Sequence, residues 1–349
     1  MKLTTLSFMQ LASCLRGDPS GVTDWDAVLA LANNTLLTPA IWSAISANDH
    51  QDFLPEDVLS FLGFIHRCNK VRNARLLAQL QELVVALNVA GIVPTLNKGT
   101  ALLALTCADR ITRDIDVTVA DNEKELAQKC LLQLGYLPIE ALGWGRSKDV
   151  GAVDLHYPPG RYPQYWPSDT RLSKHSEEIR IGSGKARILS PTLQAQHWIV
   201  HDMLKDGHLW ALHIDLRNLF ELYRLTKAPE GIDWHELDIL LSDSLGRAML
   251  DTQLLALRSI FGTDIVRDRP IPAWIKWHHG LRSREYHPLL GGAVQAVGRI
   301  AWGIRIFQIR WRFRGPWSEL PGRIMRKGQK ALRTRASKSV KDQPWCADR

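Results

Sequence analysis

Several features that are typical of secreted and membrane proteins are scarce or absent in this sequence. The five cysteines are odd in number and include no C-x-x-C pair, which argues against a disulfide framework and a structural metal and predicts a reducing cytoplasm. No uninterrupted apolar stretch approaches the ~20 residues that a membrane span requires. The first ten residues lack the continuous apolar core and the cleavage site of a secretion signal. We therefore expect a cytoplasmic protein without a transmembrane segment.

Acidic residues are scarce at the C-terminal end, where the positive charge of the chain is concentrated. Residues 303–349 contain thirteen Lys or Arg and three acidic residues, a net charge of +10, so the other 302 residues sum to −2 of the total of +8. Within this region, residues 309–314 alternate large apolar side chains with arginine. Three interpretations stay open: contact with RNA, peripheral contact with an anionic membrane surface, or a solvated, partly disordered tail.

A glycine-containing turn before a helix is the most informative segment that is present. Residues 92–97 are largely apolar, which predicts a short strand, and Lys98-Gly99-Thr100 then opens an apolar helical run. Backbone N–H groups and a hydroxyl at a helix N-terminus attract an anion, and Gly99 would let a phosphate approach the main chain closely. Lys98 adds a positive charge if it faces that phosphate, and it is a turn residue if it faces solvent.

Two carboxylates follow on alternate residues of a predicted strand. Asp114 and Asp116 alternate with Ile115, Val117 and Val119, so the acids project from one face of the strand and the apolar residues from the other. Like charges on one face are costly unless a cation compensates them, and Mg²⁺ prefers carboxylate and phosphate oxygens. The D-x-D pattern alone also fits a strand that faces water. The preceding turn favours a site for a nucleotide and its metal.

Together these segments resemble a known group of enzymes. The run L-N-K-G-T-A-L followed by R-I-T-R-D-I-D-V-T-V is similar to the polymerase-beta-like nucleotidyltransferase superfamily, whose signature is a Gly-[Gly/Ser/Thr] turn and, after a short helix, D-x-[D/E] on the next strand. More closely, residues 60–265 resemble the bacterial uncharacterised nucleotidyltransferase family. A long helix that stops at Ala90-Gly91, a strand ending in V-D-L-H and a helix that begins at L-S-P support this resemblance.

The resemblance implies an α+β fold, in which a small mixed β-sheet core with helices packed on it is followed by a helical domain. It also implies transfer of a nucleoside monophosphate from an NTP such as ATP to an acceptor hydroxyl, with two Mg²⁺ ions and release of pyrophosphate. The residues that it assigns to the metal are Asp114, Asp116 and Asp154. The residues that it assigns to the triphosphate are Lys98, Gly99 and Thr100, the last standing where many members have serine or glycine.

The third carboxylate depends most on the resemblance, which also makes Asp154 the general base. Asp154 lies in a short extended segment, residues 151–157, followed by turn residues at 158–160. From the residues alone, a solvent-facing strand aspartate is an equal alternative. Trp144 and Trp166 fall near the loops around Asp154, so both are candidates for stacking on a base.

Other polar residues have less defined roles. His197 and His201 stand one helical turn apart, a spacing that can bind zinc, but Trp198 occupies the position that would carry the base of a metalloprotease. We therefore expect these histidines at a helical interface or at the rim of the site. Arg110 would pair with phosphate, with the carboxylates or with water. Asp215 is a candidate residue on the acceptor side.

We predict four segments along the chain: an N-terminal helical segment packed on the catalytic unit, residues 1–60; the catalytic core, 61–188; a helical domain, 189–270; and the basic, aromatic-containing C-terminal region, 271–349. The acceptor would be a small molecule, a protein or RNA. One alternative is a toxin-like nucleotidyltransferase that acts on tRNA, because K-G-T-A-L with R-x-x-x-D-I-D is also similar to such toxins. Another is a non-catalytic nucleotide- or partner-binding module, against which the retained carboxylates argue.

Overall fold

The computed structural model of the chain describes residues 4–106, 109–139, 143–157, 162–265 and 269–312. These residues form helices and one mixed β-sheet, which confirms the predicted α+β class. The chain divides into two units after Arg299, and the sheet lies in the first of them. The predicted segment boundaries after residues 60, 188 and 270 stay predictions.

The helices of the described residues are numbered in chain order. They are α1 (Thr5–Leu15), α2 (Trp25–Thr35), α3 (Thr38–Ala47), α4 (Glu56–Val89), α5 (Lys98–Thr106), α6 (Lys124–Gln133), α7 (Asp169–Lys174), α8 (Pro191–Val200), α9 (His208–Ala211), α10 (Leu216–Thr226), α11 (Trp234–Leu240), α12 (Ser244–Ala256), α13 (Ala273–Arg282) and α14 (Gly291–Arg312). A π-helical turn, His201–Lys205, extends α8, and another, Leu257–Phe261, extends α12.

Seven strands form the sheet of the described residues. They are β1 (Thr95–Leu96), β2 (Asp114–Thr118), β3 (Leu137–Ile139), β4 (Gly143–Gly145), β5 (Ala152–His156), β6 (Ser176–Ile181) and β7 (Gly184–Leu189), in the order β3-β4-β5-β2-β1-β7-β6. Strand β2 runs parallel to β5 and β1 parallel to β7, whereas the other neighbouring pairs are antiparallel. β1 is shorter than the predicted strand because the chain turns at Asn97 to begin α5.

Helix α4 is 34 residues long and covers one face of the sheet. Its residues Leu76, Leu80 and Leu83 lie in one buried cluster with Ile115 and Val117 of β2, both of which are fully buried. The alternation along β2 therefore separates its apolar residues from its aspartates, as predicted. The face that carries the aspartates is turned away from α4.

Polar side chains of α4 donate hydrogen bonds to the backbone just before strands β2 and β5. The Asn73 side-chain amide donates to the Arg110 carbonyl at 2.7 Å, and that of Gln79 donates to the Gly151 carbonyl at 2.9 Å. Arg110 lies before β2, and Gly151 directly precedes β5. Because one helix bonds to the backbone that leads into both strands, it helps to fix the register of β2 against β5.

The N-terminal helices pack on two parts of the chain. A second buried apolar cluster joins α1, α2, α3 and the start of α4 with helices α8 to α12. Leu11 and Ile41, for example, are fully buried in this cluster together with Leu237 of α11. Leu62 and Tyr165 of the predicted catalytic core belong to the same cluster, so the N-terminal helices contact that core as well as the helical part.

The basic C-terminal region is described only as far as Arg312, where α14 ends. Residues 313–349 lie outside the described residues, so the expected contact of residues 303–349 with RNA or an anionic membrane stays a prediction. In the part of the chain that the structure describes, no single helix is long and apolar enough to cross a membrane. Helices α2 and α3 pass that test of length and composition only as a pair, which is bent by 116°.

A buried carboxylate connects four helical elements. Asp202, 1% exposed, lies in the π-helical turn after α8. Its oxygens lie 2.6 Å from Nδ1 of His208 on α9, 3.1 Å from the side-chain amide of Asn218 on α10 and 2.5 Å from that of Gln253 on α12. Burial opposes a charge on His208, but the hydrogen bond and the charge of Asp202 outweigh it and raise the pKa of His208.

Replacing His208 by glutamine should therefore change how stability depends on pH. A raised pKa means that the folded protein holds the proton more tightly than the unfolded chain, so this stabilisation is complete below the unfolded value of 6.5. It is lost as the pH rises through the folded-state pKa. Urea unfolding of wild type and His208→Gln should show the larger difference in unfolding free energy at acid pH. His235→Gln, at an exposed position of α11, is the control, and a His208→Gln difference that is constant with pH would contradict the pairing.

Candidate active site

Hydrogen bonds join the first turn of α5 to strand β2. The Asp116 N–H donates to the Thr100 hydroxyl at 2.7 Å, and the Asn97 N–H donates to the Asp116 carbonyl at 3.1 Å. The Thr100 side chain is fully buried. The Thr100 hydroxyl thus holds the backbone of Asp116 in place, and the assignment of Thr100 to the triphosphate stays a prediction.

Gly99 packs closely against a neighbouring side chain. A Cβ at this position would lie 2.9 Å from Nε of Arg110. Arg110 is itself held by an ion pair with the buried Glu221, and its guanidinium carbon lies 5.0 Å from the ring centre of Trp198. Close packing against Arg110 therefore favours glycine at this position, and the approach of a phosphate to Gly99 stays a prediction.

Lys98 is the residue of the turn that faces the site. Its Nζ lies 3.3 Å from Oδ1 of Asp116, and its side chain lines a cavity. Its φ of +45° places a non-glycine residue in the left-handed region, which costs roughly 1–2 kcal/mol. Backbone strain that the surrounding structure maintains is typical of functional sites.

The parallel pairing of β2 with β5 brings two of the predicted carboxylates together. Asp116 lies directly opposite Asp154, and Thr118 opposite His156. Nε2 of His156 lies 2.7 Å from Oδ1 of Asp116 and 3.3 Å from Oδ2 of Asp154. One ligand atom from each of these three residues falls within 4.8 Å of the others. Two carboxylates and an imidazole at this spacing fit a divalent cation.

The two carboxylates differ in burial and charge environment. Asp116 is 5% exposed. Burial alone would raise its pKa, but the hydrogen bond with His156 and the charge of Lys98 outweigh it and hold the pKa of Asp116 well below its usual value. The Asp154 side chain is 41% exposed. One carboxylate is therefore fixed as an anion, and the other is accessible to ligands.

Asp114 does not belong to the group that Asp116, Asp154 and His156 form among the described residues. It lies on the same face of β2 but opposite Ala152. Its charge acts on the guanidinium of Arg72, which belongs to α4. The assignment of Asp114 to a metal therefore stays a prediction.

A cavity of about 380 Å³ adjoins this group and is lined by Lys98, Thr118 and His156 from the sheet side of the site. His197 and His201 of the α8 segment also line it, which agrees with the expectation that they border the site. Aromatic side chains supply much of the remaining wall, namely Tyr157, Tyr162, Tyr165 and Trp166. The cavity thus has charged residues at one end and aromatic side chains along the rest of its wall. Such a wall suits a planar ligand.

The two histidines of the cavity resist protonation. Burial, followed by the charges of Lys98 and His201, lowers the pKa of His197 well below its usual value. Burial also lowers the pKa of His201, although Asp206, whose Oδ2 lies 3.1 Å from Nδ1, opposes the change. Neutral imidazoles offer a hydrogen-bond donor and an acceptor without adding positive charge. The helix turns π-helical at His201, a local distortion that is frequent at functional sites.

Two residues that were predicted near the site have contacts of their own. Trp144 of β4 pairs with Val153 and packs against the buried cluster between the sheet and α4, so it is not available to stack on a base in the cavity. Asp215 caps α10, where its Oδ1 accepts from the N–H groups of Arg217 and Asn218 at 2.9 and 3.1 Å. A ligand atom of Asp215 also lies within 4.8 Å of those of Asp202 and His208, and its place on the acceptor side stays a prediction.

A known protein family matches most of the chain. The family model described as "Uncharacterised nucleotidyltransferase" matches residues 21–255. This range contains the turn at Lys98, both carboxylate strands and helix α8. The chain belongs to this nucleotidyltransferase family. No curated protein and no solved structure matches it.

Sequence analysis missed one site residue of this nucleotidyltransferase, His156. The signal was present, because His156 follows Asp154 by two residues on a strand and so projects from the same face. The resemblance included the histidine of the V-D-L-H segment but assigned a role only to its acid. Only the register with β2 shows that the imidazole reaches the carboxylate of Asp116.

Comparing glycine with alanine at position 98 should separate the effect of backbone strain from the effect of the lost charge. Lys98→Ala and Lys98→Gly both lose the ion pair with Asp116, but only glycine adopts a positive φ without strain. The unfolding free energy of Lys98→Gly should exceed that of Lys98→Ala by about 1 kcal/mol, measured by urea denaturation. Equal stability of the two variants would show that the lysine backbone is not strained.

Removal of the Thr100 hydroxyl should destabilise the protein through the backbone of Asp116. Thr100→Val keeps the shape but leaves the Asp116 N–H buried without its acceptor, which should cost about 1–3 kcal/mol of unfolding free energy. Thr100→Ser keeps the hydroxyl and is the matched control for the loss of the methyl group. The prediction fails if thermal unfolding ranks valine at or above serine.

Proposed function

We propose that this nucleotidyltransferase transfers a nucleoside monophosphate from an NTP to an acceptor hydroxyl and releases pyrophosphate, with Mg²⁺ as the expected cation. The observation that carries the proposal is the grouping of Asp116, Asp154 and His156 beside Lys98, next to a cavity of about 380 Å³. Membership of the family supports nucleotidyl transfer in general. The donor, the cation and the roles of single residues are our assignments.

The donor atoms present fit a divalent cation. Asp116 is held as an anion, Asp154 is exposed, and His156 adds a nitrogen within reach of both. A cation held there would stabilise the charge that develops on the reacting phosphate and would make the acceptor hydroxyl more acidic. We assign Asp116 and Asp154 to this cation. Asp114, on the same face of β2, is the residue that we assign to a second ion.

Lys98 is assigned to the phosphate groups of the NTP. Its ammonium group lines the cavity at the end where the carboxylates lie, and an ammonium group can bind phosphate oxygens as a compact point charge. The aromatic wall suits the nucleobase, and Trp166 is the side chain that both the sequence and the cavity favour for stacking.

Asp154 is assigned as the group that accepts the proton of the acceptor hydroxyl. A general base must be accessible to the hydroxyl and available to bind a proton. Asp154 meets the first condition because its side chain is 41% exposed. Asp116 does not meet the second, because His156 and Lys98 stabilise its charged form.

The proposal predicts that Asp116→Asn and Asp154→Asn each lower nucleotide transfer by at least about 100-fold, because each removes a charge at the reacting phosphate. The measurement uses the four labelled NTPs with Mg²⁺ and small-molecule, protein and RNA fractions of a cell extract as acceptors. Thermal unfolding of Asp154→Asn should stay close to that of wild type because the side chain is exposed.

Asp121→Asn is the matched control for this experiment. Asp121 is an exposed aspartate that follows β2 in the chain and lies outside the group. It should keep wild-type transfer. Transfer that survives in both Asp116→Asn and Asp154→Asn would overturn the proposal, and so would an equal loss in Asp121→Asn.

A further inference from the structure

A row of polar side chains crosses the open face of the sheet, starting at the proposed metal site. His156 lies opposite Thr118, Thr118 opposite Thr95, and Thr95 opposite Arg187. Residues that are directly paired on neighbouring strands project from the same face. With adjacent strands about 4.8 Å apart, the Cα atom of Arg187 is about 14 Å from that of His156.

A second cavity lies along this row and adjoins the first. It has a volume of about 480 Å³ and is lined by Thr95 and Arg187. Thr118 and Trp166 line both cavities. The two cavities adjoin at these residues, and together, as the groove, they extend from His156 to Arg187 on β7.

Arg187 is exposed and has no ion-pair partner within 4.0 Å among the residues that the structure describes. Glu178 lies directly opposite it on β6, where it pairs with Lys185 at 2.8 Å and also interacts with the charge of Arg187. The other acid that lines the cavity, Glu123, accepts the Ala120 N–H at 2.9 Å. The guanidinium is thus accessible to a ligand and is not held in an ion pair.

We propose that Arg187 binds an oxyanion of the acceptor, a carboxylate or a phosphate, while the acceptor hydroxyl lies at the proposed metal site. A guanidinium presents two parallel N–H donors that match either oxyanion. The assignment to the acceptor rests on the proposed function, in which Lys98 binds the phosphates of the donor beside Asp116. Thr95, Thr118 and Trp166 line the part of the groove between the two ends, and the Thr118 hydroxyl accepts from the Asn97 side-chain amide.

This arrangement restricts the acceptor to one chemical class. The acceptor carries a hydroxyl at one end and an oxyanion at the other, separated by a span of roughly three strands. Its middle part is polar or planar, because it passes two threonines and an indole. Alcohols without an anionic group fill only the first cavity and lose the contact with Arg187.

The binding test uses the full-length protein with two probes, phenyl phosphate and benzoate, followed by ligand-observed NMR titration without NTP. Each probe offers a ring to Trp166 and an oxyanion to Arg187, and their relative affinities distinguish phosphate from carboxylate. Arg187→Met should weaken the tighter probe at least 10-fold. Arg187→Lys keeps the charge without the two parallel donors and should fall between Arg187→Met and wild type.

Arg180→Met is the matched control. Arg180 is exposed on β6 and projects from the same face of the sheet as Arg187, but it does not line the cavity. It should bind the probes like wild type. Equal weakening in both variants, or no weakening in either, would overturn the proposal. A further decisive outcome is displacement of the probe by ATP together with weaker ATP binding in Arg187→Met, which would place the arginine in the donor site.

The same variants separate this proposal from nucleotidyl transfer itself. Probe binding does not require catalysis, so Asp154→Asn should bind phenyl phosphate normally. Arg187-dependent binding in a protein that transfers no nucleotide would refute the proposed function and leave an anion site. Normal acceptor KM in Arg187→Met, in an enzyme that does transfer nucleotide, would refute the anion site alone.

Discussion

The alignment of β2 with β5 is the constraint on which the site depends. Side chains alternate between the faces of a strand, so a slip of one residue would turn Asp154 and His156 away from Asp116. The alignment is supported by two sets of contacts with α4. The side chains of α4 bond to the backbone before each strand, and apolar residues of β2 are buried against the same helix.

Electrostatic compensation explains how a buried carboxylate is tolerated at the centre of the sheet. Asp116 would be costly to bury alone, but His156 and Lys98 stabilise its charge and Thr100 accepts its N–H. The strained backbone of Lys98 is part of the same arrangement, because it directs the ammonium group toward Asp116. The same polar contacts thus offset both the cost of burying Asp116 and the backbone strain at Lys98.

The two buried clusters stabilise different parts of the fold. The cluster between the sheet and α4 holds the strands that carry the charged residues, whereas the larger cluster joins the N-terminal helices to α8 through α12. Helix α8 belongs to the second cluster and also lines the cavity with His197 and His201. The N-terminal helices therefore affect the site indirectly, through the helix that borders it.

The sequence by itself determined the class of the fold, the turn at Lys98 and the strand of alternating aspartates, whereas Asp154 came from the family resemblance. Alternation and helix starts are local patterns, since they depend on neighbouring residues. Tertiary structure alone decided that His156 joins the carboxylates, that Gly99 packs against Arg110, that the Thr100 hydroxyl bonds to the backbone of Asp116 and that Trp144 packs between the sheet and α4. The physical reason is that each of these depends on which strands and helices pair across long stretches of chain, a relation that no local pattern encodes.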